Sequence, residues 1–146
     1  MPAYSFVNVS ASITGPGGSF QLGSGSANTD EGIQIEFNSD RDIMTIALDG
    51  TPIHSLNPDK SAKVTVTLSK VSPANAKLSA MFDGQSLSSS LWANNTITIQ
   101  DSASGDTTVC RSVAFTKKPT TSYGKEAGNM QWVFNCGLVD SVLGTY

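Results

Sequence analysis

The residue types that most often carry chemistry in proteins are scarce in this chain of 146 residues. It has one histidine, His54, and two cysteines, Cys110 and Cys136. A nucleophilic triad needs a histidine in contact with its nucleophile, and Ser55 beside His54 points to the other side of an extended strand. The cysteines form no Cys-x-x-Cys motif, so we expect two reduced, buried thiols. A disulfide between neighbouring strands is the alternative.

Two other groupings resemble binding motifs but lack the residues that would complete them. Asp40, Asp42 and Asp49 lie close together in the sequence. They lack the glycine and the distal glutamate of a calcium-binding loop, so we expect a solvated turn. The glycine-rich stretch 15–18 is not followed by the Lys-Ser/Thr pair of a phosphate-binding loop.

Aromatic residues offer the last chemical candidate, since a tryptophan ring can stack on a sugar. Trp92 and Trp132 are the two tryptophans, and single aromatics of this kind are usually core or interface residues. Sugar contact is the alternative for both. Because no grouping is complete, we predict no catalytic residue, no metal and no cofactor, and a protein that is not an enzyme.

The composition excludes further classes of function. Only 14% of the residues are charged, the formal net charge is −3 and the pI is about 4.9. Binding many phosphates requires a basic surface, so a nucleic-acid binder is excluded. No apolar stretch approaches the roughly 18 residues of a membrane span, and residues 1–10 lack the basic start of a signal peptide. The length predicts a single domain over residues 1–146.

The dominant pattern is an alternation of apolar and polar residues, which is typical of β-strands. Val64, Val66 and Leu68 alternate with polar residues and are predicted to point into a core. Strands are predicted over residues 4–9, 33–37, 43–48, 63–69, 96–100, 107–117 and 131–136. We expect 33–48 to form one hairpin with its turn at 38–42, and 50–61 to be a loop.

One segment carries helix signals instead. Ser72 and Pro73 suit the start of a helix, and apolar residues recur on one helical face from Ala74 to Phe82. A helix is therefore predicted over 72–82, with Gly84 bending or ending it and a resumption towards Trp92. The predicted fold is mainly β: two packed antiparallel sheets, as a sandwich or a partly open barrel, with one flanking α-helix.

The predicted strands share a long face of short, mostly neutral polar residues. Such a face is either ordinary solvent surface or the wall of a wet channel built by several copies. Charged residues, which usually block pairing at sheet edges, are few, and this favours self-assembly. The face comprises Gln34, Glu36, Lys63, Thr65, Thr67, Ser69, Thr96, Thr98 and Gln100.

Ordered along nearly the whole chain, a series of short stretches resembles the tail tube (inner tube) protein family of contractile-tailed bacteriophages. The stretches are Tyr4-Ser5-Phe6, 15–23, Asp49-Gly50-Thr51, His54-Ser55-Leu56, Lys60-Ser61, 72–80, 95–99, Val113-Ala114-Phe115, 123–126, Trp132-Val133-Phe134 and Val142-Leu143-Gly144. None of them is a chemical signature alone, and the resemblance depends on their order.

This resemblance implies a structural role in the phage tail. Tube subunits of the family form hexameric rings that stack into a hollow tube, and strands from all six copies join one β-barrel. The tube conducts genomic DNA into the host when the surrounding sheath contracts. The implied partners are other copies of the chain, the sheath, the baseplate and the tail terminator. The implied location is the virion, after assembly in the cytoplasm of the bacterial host.

Two sets of site residues follow as hypotheses. A lumen through which DNA slides should be neutral or acidic, because rows of basic residues would hold phosphates. The predicted lumen residues are Gln34, Glu36, Thr65, Thr67 and Thr98, with Lys63 at a strand end or paired with an acid. The loop 50–61 is predicted to reach the adjacent ring through Thr51, His54, Asn57, Asp59 and Lys60. The alternatives are a β-sandwich module that binds a sugar or receptor, and the tube of a phage-derived bacteriocin or injection machine.

Overall fold

The fold was analysed in a computed structural model, which describes residues 3–4, 8–24, 32–126 and 128–145, without the side chains of residues 23 and 24. The elements along the chain are β1 (Val9–Gly15), β2 (Gly18–Ser24), β3 (Ile33–Phe37), β4 (Asp42–Ile46), β5 (Pro52–Leu56), β6 (Ala62–Ser69), α1 (Ala74–Gln85), β7 (Asn95–Asp101), β8 (Thr107–Phe115) and β9 (Asn129–Val142). Part of the predicted first strand, residues 5–7, lies outside the described residues.

Seven strands form one antiparallel sheet in the order β2-β1-β7-β8-β9-β6-β3. The last strand, β9, lies near the middle and pairs with β8 on one side and β6 on the other. The remaining strands, β4 and β5, pair only with each other as a separate two-stranded sheet. The fold is therefore mainly β with one helix, and the predicted fold class is confirmed, with two sheets of very unequal size.

Alternation along the strands sends one face of the large sheet into the core. Val64, Val66 and Leu68 are buried, as predicted, and they belong to one hydrophobic cluster to which α1 contributes Leu78 and Met81. Trp132 is 1% exposed in the same cluster, which confirms the expectation of a core residue. Its indole Nε1 donates a hydrogen bond to Asn75 Oδ1 of α1, at 3.0 Å.

Two buried amides tie the end of α1 to the sheet. Gln85 Nε2 donates to Asn95 Oδ1 at 2.7 Å, and Asn95 Nδ2 donates to Gln85 Oε1 at 2.8 Å. Gln85 Nε2 also reaches Pro16 O at 2.9 Å, and Asn95 Nδ2 reaches Val113 O at 3.1 Å. A Cβ on Gly15 would lie 1.9 Å from Asn95 Oδ1, so this position has no room for a side chain.

The helix differs from the prediction at both ends. It begins one residue after Pro73, whereas Ser72 was expected as its cap; the cap residue is Pro73, with no side-chain cap hydrogen bond. It continues through Gly84 to Gln85 and does not resume towards Trp92, because residues 86–93 form turns. The hydrogen bonds of Gln85 to the sheet fix where the helix ends.

The predicted 33–48 hairpin is wrong. Strand β3 pairs with β6, and β4 pairs with β5 around a turn at Asp49-Gly50. The predicted loop 50–61 therefore contains a strand. The polar stretch 38–41, expected as part of the turn, instead forms backbone and side-chain hydrogen bonds with residues 57–61. The two cysteines are free and buried, as predicted. A hydrogen bond to Cys110, together with burial, raises the pKa of the Cys136 thiol.

Candidate assembly surfaces

The two-stranded sheet projects as an arm, which we define as residues 42–56. All of these residues except Ala47 are exposed, including Ile43 at 54% and Ile53 at 51%. At the tip, Leu48 has no protection from solvent (110% exposed). An isolated hairpin is marginally stable in water, and a large exposed apolar surface marks an interaction site. The arm is therefore a surface that lacks its partner in the single chain.

A network of polar contacts, here called the clamp, holds the base of the arm. Its centre is the Asp59 carboxylate, which accepts hydrogen bonds from the Ser39 hydroxyl and from Ser61 N. Asn38 Nδ2 donates to Ser61 Oγ at 2.9 Å, and Arg41 Nη1 donates to Asp59 O at 3.3 Å. The clamp joins the two chain segments that enter and leave the arm, so it sets the direction of the arm.

The hydrogen bonds of the clamp favour the ionised form of Asp59. The Ser39 hydroxyl, then the Ser61 side chain and backbone N–H, lower its pKa from 3.8 to about 2. A carboxyl group whose pKa is lowered on folding stabilises the fold above its unfolded pKa. This contribution is lost as the pH falls from 3.8 towards 2. The clamp should therefore weaken within this acidic range.

The variant Asp59→Asn should make the arm less sensitive to this pH change. In the natural chain, we expect amide hydrogen exchange within residues 42–56, corrected for the intrinsic rate, to accelerate as the pH falls from 5 to 2. In Asp59→Asn, exchange should already be faster at pH 5 and should change less towards pH 2. The change that remains comes from Asp49, because the Thr51 N–H bonds to its carboxylate and lowers its pKa. The exposed Asp83→Asn is the matched control and should keep the natural profile. Identical profiles for the natural chain and Asp59→Asn would contradict the role assigned to the clamp.

Four of the predicted lumen residues lie on the polar face of the large sheet. Gln34 is directly opposite Thr65 in the β3–β6 ladder, and Glu36 is opposite Lys63. Opposite residues of an antiparallel ladder project from the same face. An acid therefore lies opposite the single lysine of these two strands. Thr98 alternates along β7 with buried residues, so it also projects from the face that turns away from the core.

The fifth predicted lumen residue, Thr67, is only 6% exposed. It lies opposite Gln131 in the β6–β9 ladder. Gln131 in turn lines a hollow of about 320 Å³ that it shares with residues 116–120. This end of the polar face is thus flanked by the segment between β8 and β9, and Thr67 offers little surface in the single chain.

The residues predicted to reach the adjacent ring are divided between the arm and the stretch that follows it. Thr51 lies at the tip, where its N–H donates to Asp49 Oδ1 at 3.0 Å. His54 is in β5, with Nδ1 2.9 Å from Asp42 Oδ2. Asn57 and Asp59 belong to the base of the arm: Asn57 Nδ2 donates to Asp40 O, and Asp59 is the centre of the clamp. Lys60 Nζ lies 3.7 Å from Asp140 Oδ1.

Open strand edges are a further assembly feature. The strands β2 and β3 end the large sheet, so each has one edge beside which no other described strand lies. The second half of β9 is also open, because β6 pairs with residues 129–136 only. Sequence analysis missed this last edge and the buried amides of Gln85 and Asn95. The signal available for this edge was a difference in length. The apolar pattern from 131 to 143 is longer than the strand predicted over 63–69, so that strand cannot cover all of it.

Sites of other kinds were also sought. Across the described ranges, no group of three or more His, Cys, Asp or Glu is placed to hold a metal ion. In the same part of the chain, no helix has the length and apolarity needed to cross a bilayer. The arrangement of the described residues thus offers surfaces for contact between protein chains as its main feature.

Comparisons with known proteins give one family and one fold. A family model described as the bacteriophage PhiTE tail tube protein matches residues 1–144. None of the curated proteins compared with the chain matches it significantly. Among solved structures, a chain of the PVC sheath–tube complex, an extracellular contractile injection system in its extended state, superposes with a TM-score of 0.61 at 12% identity, covering 97% of this chain and 92% of that chain.

Two other solved structures share the fold. A chain of the PVC sheath/tube terminator matches with a TM-score of 0.60 at 14% identity, covering 97% of this chain and 98% of that chain. A chain of the cap that terminates the anti-feeding prophage tube matches with a TM-score of 0.56 at 14% identity, covering 99% and 93%. These likenesses concern the fold, and the family model covers almost every residue. The chain therefore belongs to the phage tail tube family represented by the PhiTE protein.

Proposed function

We propose that this chain is a structural subunit, acting as one domain over residues 1–146, that assembles with copies of itself into hexameric rings stacked as a tail tube. The observation that carries the proposal is the arm, whose apolar residues are exposed on both faces. The open edges of β2 and β3 add sites at which strands of neighbouring copies pair. The related solved structures belong to sheath–tube, tube terminator and tube cap assemblies.

Measuring the mass of the purified protein in solution, together with negative-stain microscopy at several concentrations, tests the assembly. We expect rings, and rods made of stacked rings, that increase with concentration. A mass that stays that of a monomer at every concentration would refute the proposal. It would leave the alternative of a monomeric β-sandwich binding module.

In the proposed tube, the polar face of the large sheet lines the lumen and genomic DNA passes along it. Gln34, Glu36, Thr65 and Thr98 supply a wall with few cations, and Thr67 lies at its margin. Without rows of basic residues, the wall does not release counterions from the DNA and does not hold it. The DNA therefore moves through the tube without sequence-specific contacts.

Placing arginines on this face should make the tube hold DNA. We expect tubes of the double variant Gln34→Arg/Thr65→Arg, assembled with a short duplex, to retain DNA that is protected from nuclease and released by salt. Tubes of the natural chain should retain little. Ser86→Arg, on an exposed turn after α1, is the control, because DNA bound outside the tube remains open to nuclease. Equal protection in all three proteins would place the polar face outside the lumen.

The remaining partners follow from the same proposal. The tip of the arm and the stretch that follows it, with Thr51, His54, Asn57, Asp59 and Lys60, contact the adjacent ring. The sheath surrounds the tube, and the baseplate and terminator close its two ends. The protein is a virion component that is assembled in the cytoplasm of the bacterial host.

A further inference from the structure

The two halves of β9 have different surroundings. Residues 129–136 pair with β8 or the residues after it on one side and with β6 on the other. Residues 138–142 pair with β8, and no other described strand pairs with their second edge. The arm leaves the large sheet at this point. A hollow of about 570 Å³ remains between the clamp and β9, lined by residues such as Phe37, Lys60 and Val139.

The backbone of this open half of β9 presents hydrogen-bonding groups to the hollow. Val139 N points towards it and donates to Lys60 O at 3.1 Å. Because backbone direction alternates along a strand, the N–H and C=O of Ser141 point the same way. Lys60 O already accepts the Val139 N–H, so the backbone groups of Ser141, beside which no described strand lies, are the part of this edge that can act as a template for pairing with another strand.

The two edges of the arm differ in their capacity to pair. Ala47 N donates to Thr51 O, and Asn57 N donates to Arg41 O, so the odd-numbered residues of β4 and β5 bond to each other. The backbone groups of the even-numbered residues therefore point outward on both strands. On β5 these include Pro52, which has no N–H and blunts its edge. On β4 they are Asp42, Met44 and Ile46, all of which can donate.

We propose that the outer edge of β4 in one copy pairs with the open edge of β9, residues 137–142, in the neighbouring copy of the same ring. The inference rests on the proposed assembly into rings and identifies one of its contacts. The partner has to be a second copy. Within one chain, β5 leads directly into β6, which lies next to β9. By contrast, β4 follows β3, and β6 separates β3 from β9. A contact of this head-to-tail kind repeats around a ring.

Burial and charge agree with this pairing. Docking would cover apolar residues of the arm, such as Met44 and Ile46, together with Phe37 and Leu138 beside the hollow, all of which are exposed in the single chain. The arm contains Asp42 and Asp49 and no lysine or arginine.

Around the hollow, the acids Asp40, Asp59 and Asp140 are balanced by Arg41, Lys60 and Arg111, so it does not repel the arm. Lys60 and Arg111 share the single carboxylate of Asp140. Beside Asp140 of β9, two cations therefore lie against one acid. The blunted β5 edge stays available for the adjacent ring, so the two contacts do not compete for one edge of the arm.

A proline substitution on the outer edge of β4 tests the pairing. Met44→Pro removes an outward N–H of β4 without removing a backbone hydrogen bond of the hairpin, and Met44→Ala removes the same side chain but keeps that N–H. We expect Met44→Pro to raise the protein concentration needed for ring formation by at least about tenfold, and Met44→Ala to have a clearly smaller effect. The melting temperature of each variant shows whether the body of the protein stays folded.

Cysteine pairs give a second measurement that does not depend on disturbing the strand. In assembled protein, Met44→Cys/Ser141→Cys should form disulfide-linked multimers on oxidation, whereas His54→Cys/Ser141→Cys should not. The native thiols are buried and do not compete. If rings form normally from Met44→Pro, or the first pair gives no multimers within rings, the inference is overturned while the tube proposal stands. If the natural chain forms no rings at all, both are overturned.

Discussion

Replacing the arm by a two-residue Asn-Gly turn between Arg41 and Asn57 will abolish ring and tube formation without unfolding the protein. The junction is suitable, because Asn57 N already donates to Arg41 O at 2.7 Å and the two residues form a bonded pair of the hairpin. Asn-Gly is the preferred turn for joining such a pair. The large sheet should tolerate the change, since its core contains no residue from 42–56.

The expected loss of assembly is large. The arm exposes six large apolar side chains, from Ile43 to Leu56, and each is worth about 1.5 kcal/mol or more if a neighbouring copy buries it fully. Even partial loss of that burial should raise the concentration needed for assembly by more than about 100-fold. Light scattering and negative-stain microscopy measure this loss, and thermal melting followed by circular dichroism should show a midpoint within a few degrees of the natural chain.

A milder pair of variants separates the apolar residues from the length of the arm. Ile43→Ser/Ile53→Ser keeps the hairpin and removes two exposed apolar side chains, so assembly should weaken without disappearing. Leu87→Ser removes an even more exposed apolar side chain on the turn after α1 and should have little effect. Normal tubes from the protein without the arm would show that the open sheet edges alone suffice for assembly.

The largest effect on the free energy of unfolding is expected for Asn95→Ala. The change removes both hydrogen bonds between Asn95 and Gln85 and leaves the Val113 carbonyl without the Asn95 amide. Both amides are only 1% exposed, so water cannot replace the lost partner. Each buried polar group left unsatisfied costs roughly 1–3 kcal/mol. We expect a loss of about 3 kcal/mol and a fall of about 10 °C in the melting temperature.

The neighbouring Asn94 provides the control for this prediction. Its Nδ2 donates to Ser90 O at 2.7 Å on an exposed turn, so Asn94→Ala should cost much less than Asn95→Ala. Gly15→Ala should resemble Asn95→Ala, because the added Cβ meets the Asn95 amide. Chemical denaturation of the three variants measures the differences. Equal stabilities of Asn94→Ala and Asn95→Ala would show that the amide pair contributes little.

The sequence permitted correct predictions wherever a local pattern determines the structure. Alternation placed Val64, Val66 and Leu68 in the core, and the apolar spacing placed Leu78 and Met81 on the buried side of the helix. The partner of each strand could not be predicted in this way, because alternation indicates which face a residue occupies and not which strand lies beside it. The polar stretch 38–41 was interpreted as a turn, while the stronger signal at Asp49-Gly50, with apolar strands on both sides, marked the real hairpin.

Site prediction was limited by the same physics. The polar face could be assigned because, on each strand, it consists of the residues that alternate with the core residues. The burial of Thr67 could not be predicted in this way, because it depends on how the segment after β8 lies against the sheet. The open half of β9 depends on where β6 ends beside it, which is a long-range property. Asn75 and Gln85 look like solvent-facing helix residues in the sequence, and only their distant hydrogen-bond partners explain their burial.

The central position of β9 has a consequence for biosynthesis. The strands β2, β1, β7 and β8 on one side and β6 and β3 on the other are joined in one sheet through β9, which follows all of them in the sequence. A nascent chain therefore cannot complete this sheet before residues 129–142 have left the ribosome. Pairing across so many residues is also slow compared with local contacts. Partial chains on one polysome therefore lack the complete sheet, and this keeps them from polymerising with one another until β9 has been made.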